Sequence, residues 1–159
     1  IDYEKIILEI NPESGITINQ IQKLGVRERS DKRLLIAEDS PLLQRLLMQT
    51  LKEAGYEQLD FFENGQEALT FLEGKAQAGT LLNDVHLVIT DIEMPQMDGH
   101  HLTKRIKENP ALSDLPVIIF SSLITDDLRH KGELVGADGQ ISKPEIVELV
   151  KQLDKLLQK

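Results

Sequence analysis

From residue 33 onward, short apolar runs alternate with longer amphipathic stretches. Apolar runs of four or five residues between polar positions are typical of strands that a parallel sheet buries on both faces. The pattern predicts five strands, at 34–37, 58–62, 86–90, 116–120 and 139–142. Strands that alternate with helices predict an α/β fold, a five-stranded parallel sheet with helices on both faces.

Capping residues predict where the intervening helices begin. Short polar side chains favour the N-cap, and proline favours the first helical turn. The five helices are predicted to begin after Ser40, Asn64, Asp98 and Thr125 and at Pro144. The first should pack through Leu42, Leu43, Leu46, Leu47 and Leu51, and residues 74–84 are predicted to form a loop.

The first 32 residues show a weaker pattern than the rest. Apolar residues between Tyr3 and Ile10 fall at helical spacing, and Asn11-Pro12 stops that helix. A helix of ten residues is marginal on its own in water. We therefore predict that 1–32 are a linker and the remnant of an upstream domain, and that 33–159 are a second domain.

Composition narrows the possible functions. The 159 residues carry a net charge of −9, contain no cysteine and are 40% hydrophobic. An acidic surface repels phosphate backbones, so nucleic acid is not an expected partner. No apolar run approaches the roughly 20 residues that span a bilayer, so membrane insertion is not expected either. Without cysteine, thiol nucleophiles and disulfides are excluded.

Chemically active residues follow four of the five predicted strands. Glu38-Asp39, Asp91, Ser121-Ser122 and Lys143 all fall just after a strand, and the carboxyl ends of parallel strands meet at one edge. Three acids brought together repel one another, and a hard cation such as Mg2+ relieves that repulsion. A carboxylate beside the cation can attack a phosphoryl group, while a lysine and a hydroxyl bind its other oxygens.

Other interpretations of these residues remain open. Acids at loop starts are often solvated turn residues, and a single lysine is usually a surface residue. The Asp91-Ile-Glu93 sequence superficially resembles the Asp-x-Asp of haloacid-dehalogenase-type hydrolases, which makes a Mg2+-dependent phosphatase the first alternative. The second is an interaction scaffold without phosphorylation. The four histidines are interpreted as surface or packing residues: His86, His100, His101 and His130.

Four blocks, LLIAEDS, LVITDIEMPQMDG, VIIFSS and GADGQISKP, resemble the receiver domains of two-component response regulators, the CheY-like superfamily. The resemblance implies a flavodoxin-like (βα)5 receiver fold over 33–159, with a cis peptide bond before Pro144. It implies that Asp91 is the phosphoacceptor, that Ser121 is the switch hydroxyl and that Lys143 pairs with the phosphate. It also implies a Mg2+ site, whose ligands would be Glu38, Asp39, Asp91 and the backbone carbonyl of Glu93.

A narrower resemblance concerns the segment IDYEKIILEINPESG and the run TDIEMPQMDG. They resemble the CheV family of chemotaxis coupling proteins, in which a CheW-like domain is fused to a receiver. This implies a cytoplasmic signalling switch that catalyses only its own phosphorylation and dephosphorylation. The implied partners are a chemotaxis-type histidine kinase as phosphodonor and the chemoreceptor–kinase signalling complex. Two departures from common receivers are Gln140, where many have an aromatic residue, and Glu93, an extra acid two residues after Asp91.

Overall fold

Five strands form a single parallel sheet. The computed structural model describes residues 29–122 and 124–158. The strands lie in the order β2-β1-β3-β4-β5, and every neighbouring pair is parallel, so all five carboxyl ends lie at one edge. Their bounds are β1 Arg33–Ala37, β2 Gln58–Phe62, β3 Leu87–Thr90, β4 Val117–Ser121 and β5 Gly139–Ser142. The predicted strands are confirmed, with ends that shift by at most one residue.

The helices are α1 Pro41–Glu53, α2 Gly65–Ala78, α3 Leu81–Asp84, α4 Gly99–Glu108, α5 Asp126–Leu134 and α6 Ile146–Leu157. Four predicted N-caps are confirmed. Each cap side chain accepts a hydrogen bond from the backbone N–H three residues later, which satisfies a donor that the helix leaves unpaired. These caps are Ser40, Asn64, Asp98 and Thr125.

The prediction of a loop at 74–84 is wrong. Helix α2 continues to Ala78 and ends at Gly79, whose φ of 76° is left-handed and suits glycine. The short helix α3 follows, and it forms because Leu81 and Val85 are buried against the core. Local composition gave no sign of this packing, since the segment is rich in small and polar residues.

Two further expectations need correction. Leu42 was expected on the buried face of α1, yet it is 62% exposed, because that helix packs through its C-terminal half. The last helix was expected to begin at Pro144, but it begins at Ile146. The peptide bond between Lys143 and Pro144 is cis, as the resemblance implies.

A hydrophobic core lies on each face of the sheet. One combines α1 and α6 with the sheet, and the other combines α2 and α4 with it. Helix α5 differs, since among its residues only Gly132 is buried. The two cores hold the strand ends rigidly at the edge where the candidate residues lie.

Arg29, which precedes β1, is also part of the folded core. It is 2% exposed and donates to both carboxylate oxygens of Asp154, at 3.0 and 2.6 Å. It also donates to the carbonyl of Ala54 at 2.8 Å. The domain boundary at residue 33 stays a prediction, but Arg29 packs with the residues that follow the boundary. Helices long and apolar enough to cross a bilayer are absent from the described ranges.

Candidate functional site

Three carboxylates meet where β1 and β3 end. One oxygen each from Glu38, Asp39 and Asp91 can lie within 4.8 Å of the other two. The sheet order explains the meeting, because β1 and β3 are direct neighbours and both strands end at the same level. Glu38 is 1% exposed, whereas Asp39 is exposed. The grouping expected from the sequence is therefore present in the structure.

Hydrogen bonds and an ion pair fix both the backbone and the side chain of Asp91. Its backbone N–H donates to the carbonyl of Ala37 at 3.0 Å. One carboxylate oxygen accepts from the backbone N–H of Ile92 at 2.7 Å, and the other lies 3.3 Å from Nζ of Lys143. The carboxylate thus has a fixed orientation and remains partly open to the solvent, with 13% of the side chain exposed.

Gly99 lets helix α4 approach the backbone of Asp91 closely. A Cβ at this position would lie 1.9 Å from the carbonyl oxygen of Asp91. The N–H of Gly99 donates to the carbonyl of Ile92 at 2.8 Å, which ties the start of α4 to the same turn. Only glycine leaves room for this contact.

The loop between Asp91 and α4 is also pinned to the start of α2. The backbone N–H of Gly65 donates to the carbonyl of Met97 at 3.2 Å. Gln96 has a φ of 67°, and the N–H of Met97 donates to the carbonyl of Pro95 at 2.8 Å, which makes a tight three-residue turn. A positive φ strains a residue other than glycine, and it persists only where surrounding contacts fix the conformation of the loop. Such residues cluster at functional sites.

Lys143 links the buried Glu38 to the partly exposed Asp91. Its ammonium forms ion pairs with Glu38 and with Asp91, and it comes directly after β5. Burial raises the pKa of Glu38, while hydrogen bonds from Lys143 and the backbone of Ser40 oppose that rise and the charge of Asp91 adds to it. A site with a surplus of buried negative charge favours a cation.

The acids and Lys143 line one open cleft of about 710 Å³. Glu93 is exposed and lines it as well. Of the serine pair, Ser122 lines the cleft, while Ser121 is the last residue of β4 and is buried. The sequence predicts that both serines follow β4. In the structure β4 extends one residue further, so Ser121 is part of the strand and only Ser122 follows it. The role of Ser121 as switch hydroxyl stays a prediction.

His100 was interpreted only as a packing or surface residue, yet it lines the cleft. It is 2% exposed, and its Nε2 atom is buried without a hydrogen-bond partner among the described residues. Burial, and then the charge of Lys131, lower its pKa, while the charge of Asp98 and a hydrogen bond to the backbone of Leu128 oppose that change. Because the pKa is lowered overall, the imidazole is neutral near pH 7. The sequence does indicate that at most one histidine of the adjacent pair His100-His101 is buried, because two neighbours on a helix point in different directions.

Comparison with known proteins agrees with this geometry. Residues 34–154 match the family described as the response regulator receiver domain. The chain belongs to this family. A receiver domain is a signalling module rather than a conventional enzyme, and receivers generally bind Mg2+ at an acidic pocket.

Relatives of this receiver domain include two chemotaxis proteins of Helicobacter pylori. CheV2 is 34% identical over 99% of the chain, and CheV1 is 29% identical over 98%. The chain spans about half the length of these curated relatives, 49% and 48% respectively. The crystal structure of the receiver domain of a signal transduction histidine kinase from Syntrophus aciditrophicus is 35% identical. It has a TM-score of 0.67 and covers 80% of this chain and 90% of its own. The flavodoxin-like receiver fold and the relation to the CheV proteins are thus confirmed.

Proposed function

We propose that this receiver takes a phosphoryl group from a histidine kinase onto Asp91, with Mg2+ bound, and that phosphorylation changes its protein–protein contacts in bacterial chemotaxis. The observation that carries the proposal is the convergence of Glu38, Asp39 and Lys143 around the carboxylate of Asp91. Three acids and one ammonium in an open cleft supply a nucleophile, a cation site and a partner for phosphoryl oxygens.

The residues present fit a magnesium ion. Mg2+ takes oxygen ligands and retains several waters, so one to three carboxylates beside solvent suit it. Glu38, Asp39 and Asp91 offer such a set, and the backbone carbonyl of Glu93 completes the ligands that we assign. When bound, the ion supplies positive charge that offsets the charge of the phosphoryl oxygens.

The chain's own residues orient the reaction. The N–H of Ile92 holds one oxygen of Asp91, which fixes the plane of the attacking carboxylate. Lys143 already contacts Asp91 and can pair with a phosphoryl oxygen after transfer. That exchange would change its contact with Glu38, and a charge change of this kind can bias the neighbouring loops between two arrangements. We assign the hydroxyl contribution to Ser121, and Ser122 lines the cleft beside it.

The setting of this activity is inferred from the relatives. CheV1 and CheV2 are chemotaxis proteins, and the match extends over nearly the whole chain. We therefore assign a chemotaxis-type kinase as phosphodonor and the chemoreceptor–kinase complex as the site of action, both in the cytoplasm. We assign residues 1–32 to a linker and the remnant of an upstream CheW-like domain.

Incubation with Mg2+ and a small phosphodonor tests the proposal against its alternatives. A switch accumulates one acid-stable, hydroxylamine-labile phosphate per chain, since an aspartyl phosphate is an acyl phosphate. A phosphatase would instead turn over the donor continuously without accumulating phosphate. A scaffold would do neither, and either of these two results would overturn the proposal.

A further inference from the structure

The cleft extends well beyond the three acids. Its volume of about 710 Å³ lies in the range of pockets that hold whole small molecules. Its lining also includes residues that we have not assigned to the metal or phosphoryl site, and we refer to them as the wall of the cleft: Met94, His100, Ser122, Leu128 and Lys131. Binding of a metal ion and a phosphoryl group at Asp91 assigns no role to the residues of this wall.

Lys131 is the uncommitted positive charge of the cleft. Two ammonium groups line it, and Lys143 is already paired with Glu38 and Asp91. Within residues 29–122 and 124–158, the ammonium group of Lys131 has no hydrogen-bond or ion-pair partner, although the backbone carbonyl accepts from Val135. Its charge nevertheless reaches the interior of the wall, because it contributes to lowering the pKa of His100.

His100 supplies an unsatisfied polar atom beside that charge. Buried polar atoms nearly always have a partner, yet the Nε2 atom of this 98% buried side chain has none of normal geometry among the described residues, although the imidazole also interacts with the backbone of Leu128. A neutral imidazole that carries its proton on Nε2 would be satisfied by an anionic oxygen. An ammonium and an imidazole N–H together are suited to a carboxylate.

The rest of the cleft repels such a group. Its other charged side chains are Glu38, Asp39, Asp91, Glu93 and Asp98, apart from the paired Lys143. An anion that leaves the phosphorus atom would therefore be stabilised beside Lys131 and opposed elsewhere.

We propose that Lys131 and His100 form a subsite for the carboxylate leaving group of an acyl phosphate donor, and this rests on the proposed phosphorylation of Asp91. A carboxylate oxygen of Asp91 forms a bond to phosphorus while the bond between phosphorus and the acyl oxygen breaks. The electron pair of the broken bond leaves on the donor's carboxylate, and no proton is transferred. Lys131 is thus a specificity-determining residue for donors whose leaving group is an anion.

Two donors with different leaving groups test the subsite in the full chain with Mg2+. Acetyl phosphate releases anionic acetate, whereas phosphoramidate releases neutral ammonia. Lys131→Met should lower the rate constant of phosphorylation by saturating acetyl phosphate about fivefold, the upper end for one exposed charge, because the leaving acetate gains its charge only in the transition state. Phosphorylation by phosphoramidate should be unchanged. Lys131→Arg should restore most of the preference, and Lys104→Met, an exposed lysine of α4 outside the cleft, serves as the control.

The possible results separate the two proposals. Equal effects of Lys131→Met on both donors, or no effect on either, would overturn the subsite while leaving phosphorylation of Asp91 intact. If neither donor phosphorylated the unaltered chain, the proposed function would fail, and the subsite would fail with it.

Discussion

Replacing two helical glycines by alanine should have opposite effects on stability. Gly99 begins α4 and Gly74 lies within α2. A Cβ at Gly99 would lie 1.9 Å from the carbonyl oxygen of Asp91, 2.8 Å from its carbonyl carbon and 3.1 Å from Cα of Ile92. A Cβ at Gly74 would meet no atom within 4 Å. The same chemical change thus tests whether packing against Asp91 requires glycine.

The magnitudes follow from these distances. At Gly74, alanine adds helix propensity at an exposed position, which should raise the free energy of unfolding by about 0.5–1 kcal/mol. At Gly99, the clash is with backbone atoms that cannot rotate away. Overpacking of this kind costs about 1–3 kcal/mol, so we expect Gly99→Ala to lower the free energy of unfolding by about 2 kcal/mol.

Urea unfolding followed by circular dichroism would measure both effects, as shifts of the midpoint in opposite directions. Magnesium titration should also show weaker binding by Gly99→Ala, because the backbone of Asp91 must move. Gly74→Ala should bind Mg2+ like the unaltered chain. If Gly99→Ala were as stable as the parent, the close approach of α4 to Asp91 would be wrong.

Three further predictions concern the core, the pH dependence and the phosphate lifetime. Arg29→Met should lower the free energy of unfolding by about 3 kcal/mol in urea melts, because it removes the cation paired with Asp154 and leaves that carboxylate only the hydroxyl of Tyr56; the exposed control Arg105→Met should stay within about 0.5 kcal/mol. Burial lowers the pKa of His86, so its contribution to stability should be full above its unfolded pKa of about 6.5 and should be lost as the pH falls below that value. His86→Gln should flatten that dependence, and an unchanged slope would contradict it. Glu93→Asn should speed the decay of phosphorylated protein about tenfold, because we expect the carboxylate to obstruct the attacking water; slower decay would show that it assists the water instead.

Most strands of the sheet could be predicted, because the sequence of a buried parallel strand is a continuous run of apolar residues. Helix starts could also be predicted, since Ser40, Asn64, Asp98 and Thr125 cap through local hydrogen bonds. Glu38, Asp39, Asp91 and Lys143 could be brought together because parallel topology places all strand ends at one edge.

Contacts set by distant parts of the chain could not be predicted in this way. Helix α3 depends on packing of Leu81 against the core, and the burial of Arg29 depends on Asp154, which lies 125 residues later. His100 belongs to the cleft only because Leu128 and Lys131, which lie in a later helix, line the same cleft. Ser121 is buried because β4 extends to include it, whereas Ser122 follows the strand and is exposed.

The central claim is that Asp91 accepts the phosphoryl group with Mg2+ present. Phosphoramidate and Mg2+ should add one phosphoryl group to the intact mass, and peptide mapping after borohydride reduction should locate it at Asp91. Asp91→Asn should remain folded and show no added mass, since the amide keeps the shape and loses the nucleophile. Chelation of Mg2+ should likewise abolish the label in the unaltered chain. Full labelling of Asp91→Asn, or a phosphate mapped to another residue, would contradict the account.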